Sequence, residues 1–390
     1  MIELNSLSVK VIWIALAVLL PNPLSADETK TVTEQHVIFY TTCGYIEGHH
    51  WIIPMRLWVR EKANEIRRLA AKGARRIIRK RAGLEHLDDT QKRIFMSRAE
   101  DFVADSQSRE VVVFEFENDP DNEPFHLTDM QGRAIKTDHN GLAHGTLTLS
   151  DHKAKRLLDA QGSRSGWLTY RAVSEDHAGT GNVRLIQPAG VSVISDIDDT
   201  IKVTNIPAGE PEVLRNTFFR EFVPAPCMAE MYRAFDRNVA FHYVSGGPWQ
   251  LYESLANFMF SDSVGFPWGS FHMKNVRTNP FESESYQDLW KLVRDGSQRT
   301  TFQQKLEQIS TIINRYSGRK FILIGDSGEQ DPEVFQAIKA RFPGQIIEVR
   351  IRDVINDQVN NPGRVDTIRI IPPVFSDADT CRDYLQDHTF

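Results

Sequence analysis

Cysteine is scarce in this 390-residue chain, which holds only Cys43, Cys227 and Cys381. Three thiols without C-x-x-C spacing exclude a disulfide framework, a zinc ribbon and a dithiol redox motif. Free buried thiols are the expectation, with one disulfide of unassigned pairing as the alternative. Net positive charge is also lacking. A balance of −6 excludes a surface built to coat nucleic acid, so no nucleic-acid partner is expected. Long apolar runs are missing too: VIWIALAVLL, Val11 to Leu20, is about half of what a helix needs to cross a bilayer. It follows Lys10 and precedes PNPLSA, the shape of a signal peptide over 1–26. The chain is expected to be exported, to a periplasm or outside the cell, with an N-terminal membrane anchor as the alternative. The residue directly after Ala26 is Asp27 rather than a cysteine, so a lipid-modified N-terminus is not indicated.

What remains has the 41% hydrophobic and 25% charged content of a soluble globular protein, long enough for two or three domains. From 31 to 188 short β-branched and aromatic runs such as HVIFYTTC, WIIPMRLWV and WLTYRAV alternate with Gly, Asn and Asp turns. They predict a β-rich domain, sandwich- or barrel-like. His49 and His50 are neighbours on a strand and point to opposite faces, so they do not chelate one ion.

A helical insertion over about 60–104 interrupts that domain. Its first helix, Arg60 to Ala82, places Ile66, Leu69, Ala70, Gly73 and Ile77 on one stripe. Arg67, Arg68, Lys72, Arg75, Arg76, Arg79, Lys80 and Arg81 cover most of the rest. The favoured expectation is a solvated helix docked on the β-rich domain by that stripe. The alternative is a helix lying on an anionic lipid surface. A second helix is predicted over Asp88 to Ala104.

From 189 to 390 the pattern changes. GVSVISD, VAFHYVSGG and KFILIGDSG are apolar strands separated by helix-like segments, which predicts a parallel sheet with helices on both faces. Ligands of such sheets sit outside the carboxyl ends of the strands, and here each end carries reactive groups. Asp196, Asp198 and Thr200 form D-x-D-x-T. An EF-hand counted from Asp196 would need Gly and Glu where Ile201 and Pro207 stand, so that calcium site is excluded. Ser245 precedes two glycines, Asp326 and Asp331 form G-D-x-x-x-x-D, and Lys305 begins the helical segment before KFILIGD.

Taken together and in this order, these features resemble the haloacid dehalogenase superfamily of aspartate-nucleophile phosphatases over roughly Val191 to Arg352. SDIDDTIKVTN, YVSGGPWQL and KFILIGDSGEQDPEVF are similar, more narrowly, to the catalytic domain of the actin-patch-associated phosphatidate phosphatase family. Members of that family also carry a β-rich region before the catalytic domain. The resemblance implies an α/β, haloacid-dehalogenase-like fold and a Mg²⁺-dependent phosphatase. Its substrate is phosphatidate or a related lipid phosphate, met as a phospholipid or at a membrane surface. The same chemistry on a soluble or macromolecular phosphate ester is the alternative. A retired, non-catalytic fold is disfavoured because all six reactive residues are present.

The same resemblance assigns roles. Asp196, ionised at neutral pH, attacks phosphorus and forms an aspartyl-phosphate. Mg²⁺ is held by the Asp196 carboxylate, the Asp198 backbone carbonyl and Asp326, with Asp331 bound directly or one step removed. Asp198 protonates the leaving alkoxide and then deprotonates water, with a pKa raised by burial and by neighbouring carboxylates. Lys305 neutralises phosphoryl charge, Ser245 donates a hydrogen bond, and Thr200 braces the loop. Asp199 has no chemical role; solvent exposure or local hydrogen bonding is expected. Ile201–Val239 forms a flap whose Lys202, Arg215 and Arg220 are expected to be ordinary surface charges, with headgroup contact as the alternative. Ser261–Thr301 is expected to form a small lid containing Trp268, Lys274, Arg277 and Trp290.

Overall fold

The computed structural model describes residues 35–62, 65–129, 131–274 and 298–387. The leader over 1–26 lies outside them, as do residues 275–297 of the expected lid, with Arg277 and Trp290. The first half contains β1 (Gln35–Phe39), β2 (Thr42–Glu47), β3 (His50–Glu61), α1 (Glu65–Arg81), α2 (Asp89–Val103), β4 (Asp105–Ser106), β5 (Phe114–Phe116), β6 (Leu142–Ser150), α3 (Asp151–Ala160), β7 (Trp167–Ala172), β8 (His177–Ala178) and β9 (Thr180–Leu185). The second half contains β10 (Val191–Asp196), α4 (Glu210–Phe218), α5 (Met228–Arg233), β11 (Ala240–Pro248), α6 (Tyr252–Met259), β12 (Ser270–Lys274), α7 (Gln298–Arg315), β13 (Lys320–Asp326), α8 (Asp331–Arg341), β14 (Ile346–Arg352), α9 (Asp357–Asn360), β15 (Arg369–Ile371) and α10 (Ala378–Asp387).

Among the described residues the strands form two sheets. The first runs β5-β7-β9-β2-β3-β1-β8, with β4 and β6 also paired to the long β3. The second runs β12-β11-β10-β13-β14-β15 and is parallel throughout. β10 lies inside this sheet and is covered on both faces, which explains why Val193 and Ile194, on opposite faces, are both fully buried. Successive side chains point to opposite faces. Val193 thus joins a core with Met228, Met231 and Tyr232 near α5, while Ile194 joins one with Ile309 and Ile313 of α7 and Phe335 of α8.

The halves share one hydrophobic core. Tyr40 and Trp58 from the first sheet pack on Tyr252 and Trp249 of the second half, ring centroids 4.3 and 4.6 Å apart. Tyr40 Oη donates to Trp249 O at 2.9 Å and Tyr316 Oη donates to Cys43 O at 2.9 Å. Residues 34–390 accordingly form a single compact unit. The β-rich half buttresses the segment that follows Ser245.

The insertion folds as two helices, and Asp88 caps α2 with a reciprocal bond to Gln91. α1 docks by a different face from the expected one. Ala71, Ile78 and Ala82 are buried against Phe95 and Ala99 of α2 and Leu214 and Phe218 of α4. Leu69, Gly73 and Ile77 of the expected stripe face solvent. The docked face sets Ile78 between two small alanines, and its neighbours on α2 and α4 cover it in place of Leu69 and Ile77. Among the described residues, no helix is long and apolar enough to cross a membrane.

Free thiols are only part of the outcome. Cys43 is free and buried, but Cys227 and Cys381 form a disulfide that ties α10 to the start of α5 across a sequence separation of 154. Chain folding brings these Cα atoms to 5.7 Å, a proximity that spacing alone does not encode. Closing so long a loop contributes up to about 5 kcal/mol by the chain-entropy account. Reduction, or Cys381→Ser, is expected to lower Tm by several degrees in a thermal melt.

Candidate active site

Asp196 ends β10, Ser245 lies near the end of β11 and Asp326 ends β13. The strands are adjacent and parallel, with Asp196 level with Val244 and Ser195 level with Ile324. Their carboxyl ends therefore deliver these side chains to one place. α7 brings in Lys305 and α8 begins at Asp331, and all five residues are buried. Asp331 fits only because residue 325 is glycine: a Cβ there would lie 2.3 Å from Asp331 Oδ2.

Lys305 Nζ is 2.8 Å from Asp196 Oδ1, 2.6 Å from Asp331 Oδ1 and 3.1 Å from Glu329 Oε2. Asp196, Asp326 and Asp331 each offer an oxygen within 4.8 Å of the others. Oδ2 of Asp196 and Oδ2 of Asp326 are buried without a hydrogen-bond partner. Burial pushes both carboxyls well above the usual range. Lys305 opposes this at Asp196, and Asp331 reinforces it at both. Carboxylates outnumber the single ammonium, and two of their oxygens are unsatisfied. Such an all-oxygen, electron-rich donor set fits a hard divalent cation.

Asp198 has a different environment. Its Oδ1 accepts from Lys202 Nζ at 2.6 Å and Thr204 Oγ1 at 2.7 Å, and its Oδ2 accepts from Ser245 Oγ at 3.3 Å. Burial raises its pKa, but the Lys202 charge and the bonds from Lys202 and Thr204 outweigh burial and hold it below the usual value. The expected upward shift is therefore overturned: carboxylate crowding falls on Asp196 and Asp326, while Asp198 has a cation of its own. Lys202 is correspondingly not a surface charge, being only 2% exposed. Arg215 donates to Ala82 O at 2.7 Å and pairs with Glu212, as does Arg220.

Asp199 has a structural task. It adopts a left-handed backbone at φ 54°, and its carboxylate accepts from the N–H groups of Thr204, Asn205 and Ile206 at 2.6–2.8 Å. Arg352 Nη1 donates to its carbonyl at 2.7 Å. The loop is thus braced by Asp199. Thr200, expected to do so, is fully buried with its hydroxyl unbonded.

These groups open into a cavity of about 690 Å³ whose lining includes Asp198, Ser245, Lys305 and Glu329 and the apolar side chains of Leu214, Phe218, Leu251 and Leu255. Sequence reasoning missed Glu329, although it stands inside the GDSGEQD motif. It also missed Lys202 and Thr204 as partners of Asp198. Nothing local distinguishes Lys202 from the other flap cations; its burial follows from the flap folding back, where Lys202 pairs with Pro224. Lys202→Met is expected to raise the Asp198 pKa, since it removes the main lowering influence. The alkaline limb of the kcat/KM pH profile, where the general acid loses its proton, should then move to higher pH; an unmoved limb would separate Asp198 from that titration.

Fold and site define the class: an α/β protein with buried carboxylates and one lysine gathered at the carboxyl ends of a parallel sheet. Residues 191–353 match the family model described as the catalytic domain of phosphatidate phosphatase APP1. The chain is 30% identical over 193 residues to an uncharacterised protein of Schizosaccharomyces pombe, covering 48% of this chain and 29% of that one. It is 29% identical over 192 residues to phosphatidate phosphatase APP1 of Saccharomyces cerevisiae, covering 47% and 29%. The match therefore spans less than a third of each relative's length.

Proposed function

We propose that this chain is a Mg²⁺-dependent phosphatase of haloacid-dehalogenase type that hydrolyses phosphatidate or a related lipid phosphate monoester. The observation that carries the reading is the Asp196 carboxylate, with one oxygen on Lys305 and the other unbonded, beside Asp326, Asp331, Ser245 and Asp198. Lys305 favours the ionised form of Asp196 against the effect of burial; its Oδ2 attacks phosphorus and the bond to the lipid alkoxide breaks, leaving an aspartyl-phosphate. Lys305 and the Ser245 hydroxyl balance and orient the phosphoryl oxygens. Asp198 enters ionised; the arriving phosphate dianion raises its proton affinity, so it takes up a proton from solvent and passes it to the alkoxide. It then accepts a proton from water as that water cleaves the acyl phosphate, returning Asp196 and releasing phosphate. Asp196, Asp326, Asp331 and the Asp198 carbonyl would hold Mg²⁺, which supplies charge neutralisation between carboxylate and phosphate.

Leu214, Phe218, Leu251 and Leu255 in the cavity lining support a substrate with a hydrocarbon body. The test is a turnover panel: phosphatidate in micelles against soluble monoesters, with Mg²⁺ and with chelator. Phosphatidate should lead and chelator should silence it. Soluble esters leading at matched concentration would move the assignment to a soluble or macromolecular substrate. Export is supported by the leader pattern and by the Cys227–Cys381 disulfide, a bond that persists in oxidising compartments. Sequencing the N-terminus of the secreted or periplasmic protein tests it: a start at Asp27 is expected, and retention of Met1 in the cytosol would overturn it.

A further inference from the structure

α1 carries eight cations and one carboxylate in a chain whose net charge is −6. Its buried side is Ala71, Ile78 and Ala82. Opposite these, Leu69, Gly73, Arg76, Ile77 and Lys80 fall within about a third of the helix circumference, and all of them are exposed. Leu69 and Ile77 are 64% and 51% exposed, which their neighbours in the fold do nothing to relieve. A single exposed aliphatic residue is ordinary. Two on one stripe, flanked by Arg68, Lys72, Arg76 and Lys80, make the pattern of a helix that rests in a lipid headgroup layer.

We propose that this outer face of α1 is a docking surface for an anionic bilayer, its cations meeting lipid headgroups and Leu69 and Ile77 entering the layer beneath. Charge complementarity selects the occupant, and the aliphatic pair separates a bilayer from a purely polyanionic partner such as nucleic acid. The location gives the surface a use. Leu214 and Phe218 of α4 pack against Ala71, Ile78 and Ala82 and also line the active-site cavity. One helix therefore separates the docking helix from the pocket. As a device for bringing that pocket to a lipid substrate, the surface rests on the phosphatidate reading.

The test is flotation of the full chain with phosphatidylcholine vesicles, with or without phosphatidylserine, at low and high salt. Phosphatidylserine is the probe because it carries the charge without being the proposed substrate. Wild type should bind the anionic vesicles about tenfold or more tightly than neutral ones, and added salt should weaken binding. Arg76→Glu with Lys80→Glu should lose about tenfold or more, and Leu69→Ser with Ile77→Ser several-fold, all with unchanged thermal melts. Equal binding to both vesicle types overturns the proposal. So does binding that survives either double substitution; charge dependence without aliphatic dependence would indicate a polyanion that is not entered. Phosphate release from phosphatidate in detergent micelles is measured separately. Its failure with vesicle binding intact removes the phosphatase reading alone, and the converse removes the docking surface alone.

Discussion

Asp196→Asn is expected to abolish phosphate release while leaving the protein folded. An amide has no negative charge with which to attack phosphorus, and loss of a nucleophile typically costs about three to six orders of magnitude in kcat. The fold is expected to tolerate the change because the amide keeps the shape of the side chain and removes one of several buried like charges. Lys305 retains Asp331 and Glu329 as partners. Burial already raises the Asp196 carboxyl, so its charge opposes folding. The substituted protein should melt at or above the wild-type temperature. A clean preparation that still turns over phosphatidate at a substantial fraction of the wild-type rate would remove Asp196 from the nucleophile's role.

Lys305→Met should have the largest effect on stability. It leaves Asp196, Asp326, Asp331 and Glu329 gathered without their ammonium, and breaking such a buried set costs about 3–5 kcal/mol. The pH dependence has a definite sign. Asp196 and Asp326 have folded-state pKa values above their unfolded values, so each binds its proton more tightly when folded. Their stabilising contribution is complete below the unfolded value of 3.8 and is lost as pH rises through the folded value. Removing Lys305 raises the Asp196 value further. Denaturant melts should therefore show a deficit against wild type that is small in acid and widens towards neutral pH. A deficit independent of pH would mean that Lys305 acts through packing alone. Phosphate release should fall with it, since the phosphoryl group loses its fixed cation.

The legibility of the site divides along a physical line. Asp196, Ser245 and Asp326 were readable because each follows an apolar strand, and adjacent parallel strands bring their carboxyl ends together. Lys305 and Asp331 were readable from their order along the chain relative to those strands. Asp198 was placed correctly, but its electrostatics were not. The carboxylates beside it in sequence are visible, whereas Lys202 reaches it only through the fold of the flap. Asp199 makes the local hydrogen bonds that were one of its two expectations, and with them takes over the bracing expected of Thr200. Which neighbour turns inward to bond the 204–206 amides depends on the left-handed backbone at Asp199.

By itself the sequence determined which reactive side chains stand at the strand ends, the parallel α/β character of the second half and the two-helix insertion, because local periodicity and short spacing encode these. Tertiary structure decided the Cys227–Cys381 bond, the joint core of the two sheets, the Lys202–Asp198 pair and the face by which α1 docks. Each of these depends on which surfaces meet across large sequence separations, and on α1 the meeting surface is that of Ala71, Ile78 and Ala82, chosen by the surfaces of α2 and α4 that it faces.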